Sequence, residues 1–428
     1  MQTHNVYDVV GIGFGPANLA LAIAAEEADS GLRMRFVERQ QTPSWQSAML
    51  LDGSDIQNHP LRDLVSLRNP RSRYSFTNFL HEHGRLLEHL NLPLEFPLRK
   101  EYAQYIGWAA GFFGHLVDYG TEVSSIAVRT ADEGSPMYQV STLSGEALFG
   151  RSIVLAPGRS PYIPEPFVGL ESSRVFHLTR YLPSLRLLGD SHPQNVAVIG
   201  GSQSAVELTL DLMRRYPRAR ITMYVRSFAL RLKDTSPFSE EGYFPGFTAR
   251  YHALPRARKD ELDAYLRPTN YSASDGDVLA ELYAHIYEQR IDQGQRVFVR
   301  GSREVLDASE SGDAVRLRVG DLDTQETEEV DHDLVVLATG FRDLGPGPHQ
   351  DRVPPLLQGL ADRFAFDNDG YALVEADYTL ASLSPETPPA ILNGLCESSH
   401  GIGDAGSFSL LSLRAQSILE GLHKRLDR

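Results

Sequence analysis

The chain has 428 residues, with 41 basic against 56 acidic side chains and a formal net charge of −15. At roughly 150 residues per unit this length supports two or three folding units with sizeable cores, and the acidic balance argues against a nucleic-acid scaffold and against adhesion to anionic lipid. A single Cys excludes a disulfide framework, a CxxC redox pair and a cysteine-built zinc or iron–sulfur site; no apolar run is long enough to span a membrane, and the start MQTHNVYDVV has no basic segment leading into an apolar one, so a soluble, cytoplasmic protein is expected.

The first recognisable element is the apolar run Tyr7-Asp8-Val9-Val10, which predicts a buried parallel strand. It leads into GIGFGPANLALAIAAEE, where Gly11, Gly13 and Gly15 make a turn and Leu19, Ala22 and Ile23 have helical spacing. A second strand, Met34 to Val37, ends in Glu38, completing a βαβ unit. The same grammar recurs about 190 residues later: Asn195 to Ile199, then Gly200-Gly201-Ser202-Gln203-Ser204, a helix through Val206, Leu208 and Leu210, and a strand ending in Arg226. Two more strands end in small-residue turns, Ile153 to Gly158 and Leu334 to Gly340. They are expected at the two crossings between a first nucleotide domain and a second one inserted into it. Pro-rich stretches at 161–166, 345–348 and 354–355 mark linkers. Residues 250–295 are predicted helical and charged, with Tyr265, Tyr283 and Tyr287 as packing positions, and Tyr102, Tyr105 and Trp108 read as the packed face of another helix. Cys396 is expected to be buried and inert, and the 14 histidines show no metal-ligand spacing such as HExxH.

Each turn carries its own chemistry. Glycines at 11, 13 and 15 let backbone approach a pyrophosphate, whose charge meets the unpaired N–H groups of a helix N-terminus. Pro16 stands where a third glycine is usual. Glu38, 22 residues after Pro16, can accept both ribose hydroxyls and would repel a 2′-phosphate, so this site suits FAD or NAD. At the second turn Ser202 occupies a glycine position and can donate to phosphate. Arg226 stands where the first unit has Glu38, the change of sign that a 2′-phosphate requires; Arg231 and Lys233 are candidates to add to it. The alternative for Arg226 is an ordinary surface arginine. One FAD and one NADPH site imply hydride transfer from nicotinamide to flavin. With disulfide reduction excluded, an oxidase, a reductase or a monooxygenase remains.

The segments GIGFGPANLALAIA, PSWQSAML, IQNHPLRDLVSLRNPRSRYSFTNFLHEHGRL, FHLTRYL, GGSQSAVE, DTSPFSEE, PTNYSASD, LATGF and SSHGIGD follow one another almost end to end in the order of a known family. The chain resembles the microbial N-hydroxylating flavoprotein monooxygenases, the ornithine and lysine N-hydroxylases of siderophore assembly. That resemblance implies two Rossmann-like dinucleotide-binding domains, one for FAD (1–185 and 335–428, discontinuous) and one for NADPH (190–334), with a small helical substrate region at about 232–295. It implies oxygen- and NADPH-dependent hydroxylation of a terminal primary amine through a C4a-hydroperoxyflavin, with no metal and no covalent nucleophile. By position, Gln57 would lie beside the flavin ring, and Arg62, Glu240 and Asn270 would hold the amino-acid head. Trp45, Gln203, Ser204, Thr339, Gly340 and His400 fall on cofactor-contacting segments. A homo-oligomer, a tetramer or dimer, is also implied.

Three departures bear on the substrate. Arg62 replaces a lysine, Glu240 replaces an asparagine, and the link after His400 is about four residues longer than usual. Arg62 and Glu240 either pair with each other or divide one zwitterion between them, carboxylate to Arg62 and α-ammonium to Glu240. L-Ornithine is the first expectation, because the RNP segment is more similar to the ornithine branch. Lysine, an arginine-like amino acid and an aliphatic diamine stay open, as do an uncoupled NADPH oxidase and a non-catalytic nucleotide-binding relative. A sulfur- or ketone-oxidising flavoenzyme would carry FxGxxxHxxxW, and Phe167, Gly169 and His177 are too widely spaced for it.

Overall fold

The computed structural model describes residues 6–131, 134–170, 172–189, 192–404 and 406–426. Its first sheet is built on Val6–Ile12, which lies between the parallel strands Met34–Glu38 and Ala147–Leu155; Val117–Tyr119 extends the far side of Met34–Glu38. Val9 and Val10 are fully buried, as a continuous apolar run in a covered parallel sheet requires. Strand Ala147–Leu155 divides its partners. Its first half pairs antiparallel with Pro136–Thr142, and its last three residues pair parallel with Ala390–Leu392 from near the end of the chain. The C-terminal helix Leu411–Arg425 packs on the helix Pro16–Glu27 that follows the first glycine turn.

The second sheet has five parallel strands in the order Val297–Arg300, Arg220–Tyr224, Asn195–Ile199, Leu334–Leu337, Val175–His177. The helix Gln203–Arg215 and one face of Gly276–Ile291 share its core. A three-stranded antiparallel sheet, Arg303–Ser311, Ala314–Asp321 and Thr327–His332, contributes Val315, Leu317 and Val319 to a second core with Ala197 and Val335. The fold is therefore α/β with two Rossmann-like units, as the glycine turns predict. The limits of the second sheet differ from the expected 190–334. Val175–His177, within the expected 1–185, and Leu334–Leu337, which straddles the expected boundary at 334/335, are both strands of the second sheet. Leu334–Leu337 is buried throughout because it pairs on both edges. Chain order does not reveal which sheet an apolar run joins.

The two crossings run side by side. Pro161 bridges Phe341 antiparallel, Tyr162 N–H donates to the Gly340 carbonyl at 3.0 Å and Arg342 N–H to the Ser160 carbonyl at 2.8 Å. Beside them, Arg159 and Arg267 both hold Asp343, at 2.9 and 2.8 Å, and Arg267 and Tyr271 both reach Glu397. Burial, with Asp343 acting in the same direction, pushes the Glu397 carboxyl up to about 7 against these cations.

The helical region holds Pro245–His252, Arg256–Asn270 and Gly276–Ile291. The tyrosines expected to pack there do not: Tyr265, Tyr283 and Tyr287 are 69%, 66% and 57% exposed, while Leu266, Leu282 and Ile286 are buried. The buried face is one residue out of register with the tyrosines, which is about 100° around a helix. In the first unit, Tyr102 and Tyr105 of helix Arg99–Gly111 are fully buried as expected. No described helix is long and apolar enough to cross a membrane.

Candidate active site

Both glycine turns are shaped by backbone contacts that exclude a side chain. A Cβ on Gly13, whose φ is +84°, would lie 2.5 Å from the Ala156 carbonyl oxygen, and one on Gly11 would enter the Phe36 ring. Gly15 has no heavy atom near its would-be Cβ, so that face of the turn is open. Gly15 is also the N-cap of Pro16–Glu27 without a side-chain cap, so no capping side chain claims the first-turn N–H groups. Pro16 sits at the first helical position, where its missing N–H costs nothing. Glu38 takes Phe14 N–H on one oxygen at 2.8 Å and Gln40 N–H on the other at 2.9 Å. Each oxygen keeps a further lone pair for a ribose hydroxyl. These residues fit a dinucleotide with an unphosphorylated ribose. The second turn repeats the design: a Cβ on Gly200 would meet the Ala338 carbonyl oxygen at 2.3 Å, and Ser202 caps Gln203–Arg215 with its backbone alone. Arg226 is exposed just past the strand Arg220–Tyr224. Arg231 is also exposed, on a two-residue strand pairing with Ala273–Ser274. Lys233 turns inward, with Nζ 3.8 Å from Asp275 Oδ1.

A cleft of about 430 Å³ opens beside the second turn, and it gathers Trp45, Gln57, Arg62, Gln203, Ser204, Lys233, Glu240 and Asn270. Trp45 stands edge-on to Phe408 and Tyr102, at 5.3 and 5.9 Å between ring centroids. Gln57 has a left-handed backbone, φ +52°, held by Asp55 Oδ1 accepting the Gln57 N–H at 2.9 Å. Burial, reinforced by Glu207, Asp275 and Asp277, pushes Asp55 up to about 6. The Gln57 amide nitrogen donates to Asp275. Asp275 N–H donates to Gln203 Oε1 at 2.9 Å, and Gln203 Nε2 to Glu207 Oε1 at 3.1 Å. Glu207 in turn accepts a bidentate pair from Arg99 at 2.9 and 3.0 Å, both side chains buried. Arg62 Nη1 lies 3.4 Å from Glu240 Oε2, with the side chains 24% and 29% exposed. One long contact, short of a bidentate pair, leaves both groups able to face a ligand.

The link after His400 borders this cleft: Gly406, Ser407, Phe408 and Ser409 line it. It is anchored by a buried polar chain. Arg414 Nη1 donates to Asp404 at 2.5 Å, Arg414 Nε to Asn393 at 2.9 Å, Asn393 to Asn18 at 3.1 Å, and Asn18 to the Gly13 carbonyl at 2.7 Å. The link and the first glycine turn are thereby one hydrogen-bonded unit.

Of the expected cofactor residues, Trp45, Gln57, Gln203 and Ser204 line the cleft; Thr339, Gly340 and His400 are among those outside it. Thr339 Oγ1 donates to the Tyr162 carbonyl at 2.5 Å and Gly340 accepts from Tyr162, so both are engaged in the crossing. Phe341, next along, lines the cleft instead. His400 is buried and stacked on Tyr378 at 4.2 Å, with Nδ1 2.8 Å from the Ser399 hydroxyl. Burial, with His252 beside it, pushes His400 down to about 3, so it is neutral. Cys396, His400 and Asp404 place potential ligand atoms within 4.8 Å of one another. The Arg414 guanidinium already balances the Asp404 charge there, and burial pushes the Cys396 thiol up, so it is unreactive. Sequence reasoning missed Asp275, Glu207 and Arg99. Asp275 ends the segment PTNYSASD and precedes a helix, a position that signals an N-cap; Arg99 and Glu207, 108 residues apart, carry no local signal.

Comparison with known proteins gives one consistent result. The L-lysine 6-monooxygenase/L-ornithine 5-monooxygenase family matches residues 5–343. An L-ornithine N(5)-monooxygenase of Pseudomonas aeruginosa is 34% identical over 98% of this chain and 94% of its own length. One from Burkholderia cepacia is 37% identical over 94% and 91%. The ornithine N-hydroxylase of Kutzneria sp. 744, solved with reduced FAD, NADP+ and L-ornithine, superposes with a TM-score of 0.90 at 32% identity, covering 99% of this chain and all of that one.

Proposed function

This chain belongs to the L-lysine 6-monooxygenase/L-ornithine 5-monooxygenase family, and on that premise we propose that it is an NADPH-dependent flavin monooxygenase that hydroxylates the side-chain amine of L-ornithine. The balanced reaction is R–NH2 + O2 + NADPH + H+ giving R–NHOH + NADP+ + H2O. FAD, when bound, supplies the electron transfer and oxygen activation. The first glycine turn, Pro16–Glu27 and Glu38 would hold it; the second turn, Gln203, Ser204 and Arg226 would hold NADPH.

The observation that carries this reading is convergence. Residues from separate segments, Trp45, Gln57, Arg62, Gln203, Glu240 and Asn270, line one cleft beside the second nucleotide turn. Arg62 pairs with the substrate carboxylate and Glu240 with its α-ammonium, while Asn270 supplies hydrogen bonds to the same head. Trp45 and Phe408 exclude water at the cleft wall. Gripping the head far from the reacting amine turns an encounter into a fixed approach, and no acid or base on the protein is required. The product suits acylation to a hydroxamate, the iron-binding group of siderophores. The expected setting is the cytoplasm, where NADPH is regenerated. We expect a homo-oligomer: Leu87 and Leu90, 81% and 71% exposed on one short helix, are apolar surface that a second copy would cover.

The test measures hydroxylamine product alongside NADPH consumption for L-ornithine, L-lysine, L-arginine, putrescine and cadaverine. Ornithine should give the highest hydroxylamine yield per NADPH. A better yield with another amine moves the substrate assignment to it. NADPH consumption that gives only peroxide with every amine refutes the hydroxylase reading in favour of an uncoupled oxidase. NADPH binding with no turnover at all would identify a non-catalytic relative.

A further inference from the structure

Gln57 lines the cleft with the nitrogen of its carboxamide held by Asp275. An ionised carboxylate can only accept hydrogen bonds, so the group that Gln57 presents to Asp275 is its NH2, as observed. The amide oxygen must then point away from Asp275, and it accepts no hydrogen bond from a described residue. Three features hold Asp275 in place. It is the N-cap of the 16-residue helix Gly276–Ile291, at the positive end of that helix. Lys233 Nζ lies 3.8 Å from its Oδ1. Its own N–H donates to Gln203 Oε1 at 2.9 Å, on the first turn of the helix after the second glycine turn.

We infer that Asp275 is a positioning residue: by taking the Gln57 NH2, it turns the Gln57 oxygen into the cleft as the acceptor for an N–H of the reacting amine. The inference rests on the proposed amine hydroxylation. Its chemical logic lies in the lone pair. A neutral primary amine has two N–H donors and one lone pair, and the lone pair forms the new N–O bond. An acceptor beside the amine takes an N–H and leaves the lone pair free. A flipped amide would offer its NH2 instead, which would bond to the lone pair and suppress the nucleophile. Asp275 therefore orients the amine without touching it. Through Gln203 it also ties this orientation to the helix that opens the nucleotide site.

Asp275→Asn tests this. The variant keeps the shape of the position, where the Asp275 side chain makes no cap hydrogen bond, yet its NH2 can donate to the Gln57 oxygen and stabilise the flipped amide. Hydroxylamine formed per NADPH should fall about tenfold with L-ornithine. Binding of L-ornithine to the FAD-loaded protein, measured by calorimetry, should weaken about threefold to tenfold, the range for one lost hydrogen bond. Reduction of the flavin by NADPH without oxygen should stay within about twofold, and the melting temperature should hold. Asp275→Glu keeps a carboxylate that can accept the Gln57 NH2 and should retain most of the yield. Unchanged yield and binding in Asp275→Asn overturn the inference, as does an equal loss of yield in Asp275→Glu. A lowered melting temperature together with slowed flavin reduction would show a structural role instead, and also overturn it. If the unaltered protein makes no hydroxylamine from any amine, the functional reading itself has failed; loss confined to the variants bears on Asp275 alone.

Discussion

Glu240→Gln separates two uses of one carboxylate. Glu240 either holds the substrate's α-ammonium or occupies Arg62, 3.4 Å away. A hydrogen bond to a charged group contributes about 1.5–3 kcal/mol. With both side chains roughly a quarter exposed, screening reduces this to about 1–2 kcal/mol, or about fivefold to thirtyfold in affinity. If the two residues divide the zwitterion, Glu240→Gln raises the KM for L-ornithine by that factor. Arg62→Ala does the same, and leaves both the KM for putrescine, which has no carboxylate, and anaerobic flavin reduction nearly unchanged. The assay is steady-state hydroxylamine formation across ornithine concentrations. A lower KM in Glu240→Gln would refute the reasoning, because it would mean that the carboxylate had only been keeping Arg62 from the substrate.

Two further outcomes follow from the geometry. Arg226→Ala should raise the KM for NADPH about tenfold to a hundredfold and leave that for NADH unchanged, since only the 2′-phosphate would lose a charged partner; equal effects on both donors would remove Arg226 from the cofactor site. Glu397 is raised from 4.5 to about 7, so the folded protein retains a proton there that the unfolded chain has released. The resulting stabilisation is complete below about pH 4.5 and is lost as pH rises through about 7, on the order of 3 kcal/mol across that window. In urea denaturation from pH 4.5 to 8, the stability of the unaltered protein relative to Glu397→Gln should therefore decline with rising pH; a flat difference would contradict the burial argument.

The two nucleotide turns were legible because their causes are local. A turn that brings Gly13 against the Ala156 carbonyl and Gly200 against that of Ala338 admits no side chain, so the glycines must appear in the sequence. The sign at each following strand end, Glu38 against Arg226, is likewise written residue by residue. The motif order also pointed to Trp45, Gln57, Arg62, Glu240 and Asn270, which line one cleft, because each motif brings one or two of them.

What the tertiary structure alone decided is non-local. Val175–His177 and Leu334–Leu337 are apolar runs that would suit either sheet, and only pairing places both in the second. The buried face of the helical region differs from the tyrosine pattern by one residue, because helix docking selects the face. Arg62 meets Glu240 across 178 residues, Gln57 meets Asp275 across 218, and Arg99 meets Glu207 across 108. Residue identity fixes which charges and amides are available. Their partners are set by how two sheets and a set of helices close around one cleft, since hydrogen bonds and ion pairs act over a few ångströms and sequence separation carries no record of that distance.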